Sequence, residues 1–415
     1  MARKLSDREM RKIERWVRAN KKSEIIDFFA EMPRRVVIPE PMLLGSIQGN
    51  DFLIEGYAVT SAIIEEIYYL DDEYIDLPFG YTNTKVFSKR HERFDNVFWQ
   101  ALSEGKRLDP GKACLTASLG NCTSQIVSAH AIQKSELKKL ARPDGHVYGF
   151  LFGGKSDHRN FSWPETVGIN VATTFTGICS HHDNSLFRPI ETEEFTASRD
   201  QLFLFHYRAL IFEHYRRTHR YEKLNKIYTK LSAEGFAGEF RDIATMLEAN
   251  KHDSKEIGAE KMMADSLLQS ADHLGFESAC WVSHSPAPIA GTITIGPVKD
   301  FSGKRIQHPI GNSPLEWITL TVSPKEGKTV FIIGSNVKSL VFSRLVESFD
   351  AIAPAKRMQS LISYCLCCME DMIFMPQFWE SLSSAQQEAI VRTYKARYFP
   401  RKMQALGVWE INRIV

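Results

Sequence analysis

The chain has 415 residues, 43% of them apolar and 25% charged, with a formal net charge of +2. That size buries a substantial core divided into two or more domains, and the small net charge announces no polyanion partner, which has to be sought in local patches. No window approaches the roughly eighteen consecutive apolar residues of a membrane span, and MARKLSDREMRK carries neither the apolar run nor the cleavage site of a signal peptide, so no membrane association and a cytoplasmic location are expected.

Residues 1–108 read as an α-rich region. Ser6 and Glu9 form a capping box ahead of Met10, Ile13, Trp16 and Val17 at helical spacing. A second helix starts at Ser23 and carries Ile25, Ile26, Phe28 and Phe29, before Pro33, Pro39 and Pro41 impose an extended connection. Short apolar runs and a helix through FDNVFWQALSEG follow. In residues 109–195 the texture changes to frequent Cys, His, Gly, Ser and Thr with little periodicity, which suits a small metal-stapled module. Residues 196–275 return to helix: QLFLFHYRALIFEHYRRTHRYEKLNKIYTKL makes one long helix or two, EANKHDSKE reads as a loop, and KMMADSLLQSADHLG as another helix. Residues 276–415 form an α+β domain. ACWVSHS, GTITIGPV and EWITLTVSPKEGKTVFIIGS give an antiparallel sheet with a hairpin at SPKEGK, and NVKSLVFSRLVESF, AKRMQSLISYCLCCME and SSAQQEAIVRTYKARYF give helices.

The seven cysteines point to metal binding or burial rather than disulfides in a reducing compartment. Cys114 and Cys122 have seven residues between them, with Gly120 and Asn121 supplying a turn, and Cys179 and His182 make a C-x-x-H pair in GICSHHDN. Four such sulfur and nitrogen donors satisfy a tetrahedral zinc ion, and the two pairs bracket one loop-rich module. Buried small hydrophobes are the alternative reading of these cysteines. Cys365, Cys367 and Cys368 sit in a helical pattern without nearby histidines and read as buried.

The module resembles the HNH family of nucleases, also called ββα-metal or treble-clef nucleases. That pattern runs from a cysteine pair, through an acidic-His-apolar segment ending a strand, to a C-x-x-C-His element at a helix. SAHAIQKSEL matches the His segment, and CSHHDN matches the last element with His182 in place of the fourth cysteine. The resemblance covers about 80 of the 415 residues. It implies a zinc-stapled ββα fold between the two flanking regions, with His130 as general base and Asp183 as ligand of a catalytic magnesium or manganese ion, apart from the structural zinc. The match departs from the family at three points. Ala129 stands where the family has an acidic metal ligand, Thr174 falls near its histidine-orienting Asn, and the stretch from His130 to Cys179 is long. His181 and Asn184 read as exposed helix residues.

On a continuous helix over 204–231, Arg208, Arg216, His219, Lys223, Lys226 and Lys230 share one face. Such a stripe tracks a phosphate backbone or is simply solvated. GFLFGGKS matches the phosphate-loop pattern, but DHRNFSWPETVG with Pro164 follows where a helix is required. It reads as a turn at Gly153 and Gly154, and His284 reads as structural. The expected function is therefore a metal-dependent endonuclease acting on nucleic acid, DNA before RNA, with a protein partner or a second copy allowed. By architecture it resembles prokaryotic restriction or antiphage defence proteins. A zinc-stabilised binding module without catalysis is the alternative.

Overall fold

The computed structural model describes residues 113–150 except Ser124, 163–235, 241–270, 273–307 and 315–396, together with short pieces before residue 101. Two compact units partition the chain: residues 1–107, 155–161 and 224–245 in one, and 108–154, 162–223 and 246–415 in the other.

In the first unit, the pieces described before residue 61 are strands: β1 (Arg3–Lys4) pairs with β2 (Val36–Val37) in parallel, and β3 (Ile47–Gln48), β4 (Asp51–Ile54) and β5 (Tyr57–Thr60) form an antiparallel sheet. These strands add β-structure to a region expected to be α-rich, in which Val97 and Gln100 of the expected FDNVFWQALSEG helix are helical. Phe52, Ile54, Tyr57 and Val59 supply the period-two alternation of aromatic and branched residues that favours strands. The helices expected from Ser6 and Ser23 lie outside the described residues.

The second unit is α+β. Its strands are β6 (Ile126–His130), β7 (His146–Gly149), β8 (Glu165–Gly168), β9 (Thr174–Cys179), β10 (Glu277–Ser283), β11 (Ile289–Ile295), β12 (Ile318–Lys325), β13 (Lys328–Ser335) and β14 (Ile373–Phe374). Its helices are α1 (Lys134–Leu140), α2 (Ser180–Leu186), α3 (Arg188–Glu191), α4 (Arg199–Ala233), α5 (Arg241–Gln269), α6 (Leu340–Asp350), α7 (Pro354–Cys368), α8 (Pro376–Ser381) and α9 (Ser384–Ala396), α4 and α5 also running into the first unit. Seven strands form one antiparallel sheet in the order β10-β13-β12-β11-β14-β7-β8. The expected hairpin between β12 and β13 turns on Glu326 and Gly327, both at positive φ, the geometry of a two-residue turn matched to strand twist.

Both faces of that hairpin are covered. Phe331 and Ile333 of β13 join Leu345, Phe349, Leu361, Leu366 and Trp379 of the C-terminal helices. Val330 and Ile332, pointing the other way, join Phe203, Tyr207 and Leu210 of α4. Strands buried on two faces read as unbroken apolar runs, as VFII does. The segment expected as the zinc module contributes to the same sheet: β7 pairs with β14 and β8 with β7, and α1 packs Leu137 and Leu140 onto Val147, Val167 and Ile373. The length between His130 and Cys179 is thus spent on two sheet strands and a helix.

Helix α4 is single and is buried on every side from Gln201 to Glu213, its buried polar side chains Gln201, His206, Arg208 and Glu213 each meeting partners within the fold. The EANKHDSKE segment is helical within α5, not a loop. No proline or glycine interrupts it, and Arg217 and Thr218 of α4 reach across to Asp253 at 2.7 Å and Ser254 at 3.2 Å. Residues 151–162 of the GFLFGGKS region and its sequel lie outside the described residues; β7 ends at Gly149. Among the described residues no helix is long and apolar enough to cross a membrane.

Candidate metal centre and the adjacent histidine

Strands β6 and β9 pair antiparallel, Ile126 with Cys179 and His130 with Thr174, and α2 starts directly after β9. The register shifts between Val127 and Ala129; such bulges bend a strand and re-aim its side chains. Upstream, a 3-10 turn at Ala117–Leu119 leads into Gly120 and Asn121, at φ 78° and 54°. Two left-handed residues in succession, the first a glycine, reverse the chain and return Cys122 toward Cys114. The loop is pinned to β9 by the Leu115 N–H, which donates to the Gly177 carbonyl at 2.9 Å. Gly177 admits that contact: a Cβ there would meet Leu115 Cδ1 at 3.0 Å, with Phe175 and Tyr215 carbons at 3.1 Å.

The four expected ligands converge. Donor atoms of Cys114, Cys122, Cys179 and His182 all lie within 4.8 Å of one another. His182 Nδ1 is 3.4 Å from Cys114 Sγ, 3.6 Å from Cys122 Sγ and 3.3 Å from Cys179 Sγ. A zinc tetrahedron with ordinary Zn–S and Zn–N bonds has S···N edges of about 3.5 Å, so the spacing fits that ion. The Cys179 N–H donates to Cys114 Sγ at 3.3 Å, the kind of amide-to-sulfur contact that orients a ligand. The thiols are unequal. Burial opposes ionisation of Cys179, but backbone N–H groups of His182 and Thr123 hold its thiolate, leaving it at about 6. Burial and the neighbouring thiols of Cys114 and Cys179 push Cys122 up to about 11. Three thiolates in one shell need a cation to offset their repulsion. Among the described residues this is the one such cluster of three or more ligand side chains.

Four residues along β6 from Ile126, the partner of Cys179, His130 ends the strand half-buried. Its Nε2 lies 2.8 Å from the Ile169 carbonyl; since a carbonyl only accepts, Nε2 carries the proton of the neutral ring and Nδ1 holds the lone pair. Burial lowers its pKa, with the charges of Lys134 and Arg208 adding to the fall and Asp183 opposing it. Asp183 on α2 is raised by burial, against the charges of Arg208 and His130. Each carries the other's charge among the causes of its shift. Thr174, expected near the orienting position, instead donates its hydroxyl to the Val171 carbonyl at 2.8 Å. The Ile169 carbonyl fills that role, and a backbone acceptor leaves no residue-type signal in a sequence. Ala129 is buried and brings no carboxylate.

No protein-family model, curated protein or solved structure matches the chain. Its chemistry is therefore read from its own residues.

The basic stripe expected along α4 is not a continuous exposed surface, which corrects that reading. Arg208 is 4% exposed and bound to Glu191 at 2.5 Å. Arg216 pairs with Glu370 and, at 3.0 Å, with Asp371, while Arg217 pairs with Glu213 at 2.6 Å and Arg220 with Glu370. Charges taken this far from water must be paired, so these arginines are committed within the fold. Lys223 is partly buried and Lys226 exposed. His181 and Asn184 are exposed on α2 and Cys365 is buried, as expected, whereas Cys367 and Cys368 are only partly buried.

Proposed function

We propose that the chain is an HNH-like endonuclease that hydrolyses nucleic-acid phosphodiester bonds with a divalent cation. One observation carries this reading: His130, neutral and with Nδ1 as its lone-pair nitrogen, ends a strand of a strand-strand-helix unit framed by the Cys3His cluster. The zinc ligands serve structure, tying the loop at Cys114 and Cys122 to the β9–α2 junction. His130 Nδ1 takes a proton from the attacking water, and the Ile169 carbonyl keeps the ring oriented and balances the imidazolium that forms. Asp183, an oxygen donor, is the residue that would hold magnesium or manganese, ions that keep several waters and need only one or two carboxylates. Such a cation supplies charge stabilisation at the scissile phosphate.

The absence of a carboxylate at Ala129 favours a second reading, a zinc-stabilised nucleic-acid- or protein-binding module. One comparison separates the two. Full-length protein with magnesium or manganese is incubated with supercoiled plasmid and with single-stranded RNA, alongside His130→Ala of matching circular dichroism. Loss of the general base is expected to slow cleavage by about 10²–10⁴-fold. Zinc-loaded parent that cuts neither substrate, or His130→Ala that cuts as fast as the parent, contradicts the nuclease reading.

A further inference from the structure

The metal centre has two unequal halves. Cys179 and His182 are buried at the β9–α2 junction, whereas Cys122 is exposed and Cys114 partly so on the loop that carries them. A junction in the core holds its ligands by packing. A surface loop with seven residues between its cysteines must be ordered before both thiols reach one ion, and that ordering costs entropy. The ends of the loop are tied to the junction, by the Leu115–Gly177 hydrogen bond at 2.9 Å and by Thr123 Oγ1 against Ser180 Oγ at 3.0 Å. Its apex is tied to a different element. Ser118, exposed in the 3-10 turn, is hydrogen-bonded through its hydroxyl to Asp265 Oδ2 of α5 at 2.6 Å.

Asp265 is held as an anchor should be. It is buried, and Lys261 Nζ, one turn earlier on α5, donates to the same oxygen at 2.7 Å, while the Tyr207 hydroxyl of α4 donates to Oδ1 at 2.6 Å. Three donors, from the loop, α4 and α5, thus fix one carboxylate. An ionised carboxylate only accepts, so Ser118 is the donor in its own contact, and a hydroxyl on a carboxylate makes a short, charge-assisted bond. Tyr207 is itself fully buried and stacked on Phe203, so the anchor is set in the apolar core around α4.

We propose that Asp265 is a positioning residue for the metal centre. Through Ser118, across a sequence separation of 147 residues, it pre-organises the loop of Cys114 and Cys122, and metal retention depends on that contact although neither residue is a ligand. The proposal rests on the cluster holding zinc and is independent of the nuclease reading.

The test is the rate of zinc transfer from full-length protein to a chromophoric chelator. Ser118→Ala removes the tether at an exposed position and is expected to release zinc about tenfold faster, the lower end of what outer contacts of a metal site contribute. Ser118→Thr keeps the hydroxyl and is expected to return the rate to the parent's. Tyr207→Phe disturbs a fully buried residue but leaves the Ser118 bond in place, so it is expected to lower the urea midpoint with a smaller effect on release. A zinc-loaded Ser118→Ala that releases at the parent's rate overturns the proposal, as does a release rate that follows the urea midpoint across the three variants rather than the Ser118 hydroxyl. A folded parent without zinc overturns the metal centre itself and this proposal with it.

Discussion

His206 predicts a measurable loss of stability in mild acid. It is fully buried on α4, between Thr319 Oγ1 at 2.8 Å and Asn336 Oδ1 at 2.9 Å. The Asn336 oxygen accepts from Nε2–H, so the ring is neutral and Nδ1 faces the Thr319 hydroxyl. The space is closed: a Cβ on Gly334 would come within 2.9 Å of His206 Nδ1. Burial lowers the pKa from 6.5 to about 4, against the Asn336 hydrogen bond, which raises it. The unfolded chain therefore binds a proton below 6.5 that the folded chain refuses until about 4. Stability is full above that window and is lost as pH falls through it; the term amounts to about 2 kcal/mol at pH 5 relative to pH 7.5. Urea denaturation of the parent and of His206→Gln at both pH values isolates it, because the other histidines cancel in the difference. A parent that loses no more stability than the variant between the two pH values would refute the reasoning.

Three further outcomes follow from the packing and charges. Gly177→Val forces a branched side chain onto Leu115, Phe175 and Tyr215; overpacking of about 1–3 kcal/mol is expected, with weaker zinc retention against a chelator. Retention equal to the parent's would show that the Leu115–Gly177 contact does not frame the loop. Glu370→Gln leaves Arg216 and Arg220 without their shared carboxylate, which should cost about 3–5 kcal/mol in chemical denaturation; a change within error would contradict the ionic cluster. Burial raises the pKa of Glu370, but Arg220 and Arg216 more than offset it and hold it well below its ordinary value of 4.5. The stability this carboxylate contributes is thus present above pH 4.5 and lost as pH falls further, and the parent's acid denaturation should be steeper than that of Glu370→Gln.

The four residues of the Cys3His cluster were legible because each is a chemically distinctive residue and the two pairs bracket one module. The β12–β13 hairpin was legible because two strong β-runs flank a turn sequence. Pairings between distant segments were not. Strand β14 has two residues, Ile373 and Phe374, and its partner Tyr148–Gly149 lies more than two hundred residues upstream, so no local period marks either. The basic stripe of α4 misled for a similar reason: Arg216 meets Glu370 at a sequence distance of 154, and its burial depends on that remote carboxylate. The polar α5 segment was misread because its helix is held by contacts to α4 rather than by an apolar stripe of its own. His130 stood out in the sequence, but the group that holds its ring is the Ile169 carbonyl, which no residue type marks.

The centre on which the site is built can be measured directly. Zinc content by elemental analysis and X-ray absorption at the zinc edge, on full-length protein purified without chelators, should give one zinc per chain, with three sulfurs at about 2.3 Å and one nitrogen at about 2.0 Å. Cys179→Ser should lose both the metal and the sulfur count. Protein that is folded and free of zinc, or a zinc shell dominated by oxygen, would contradict the account.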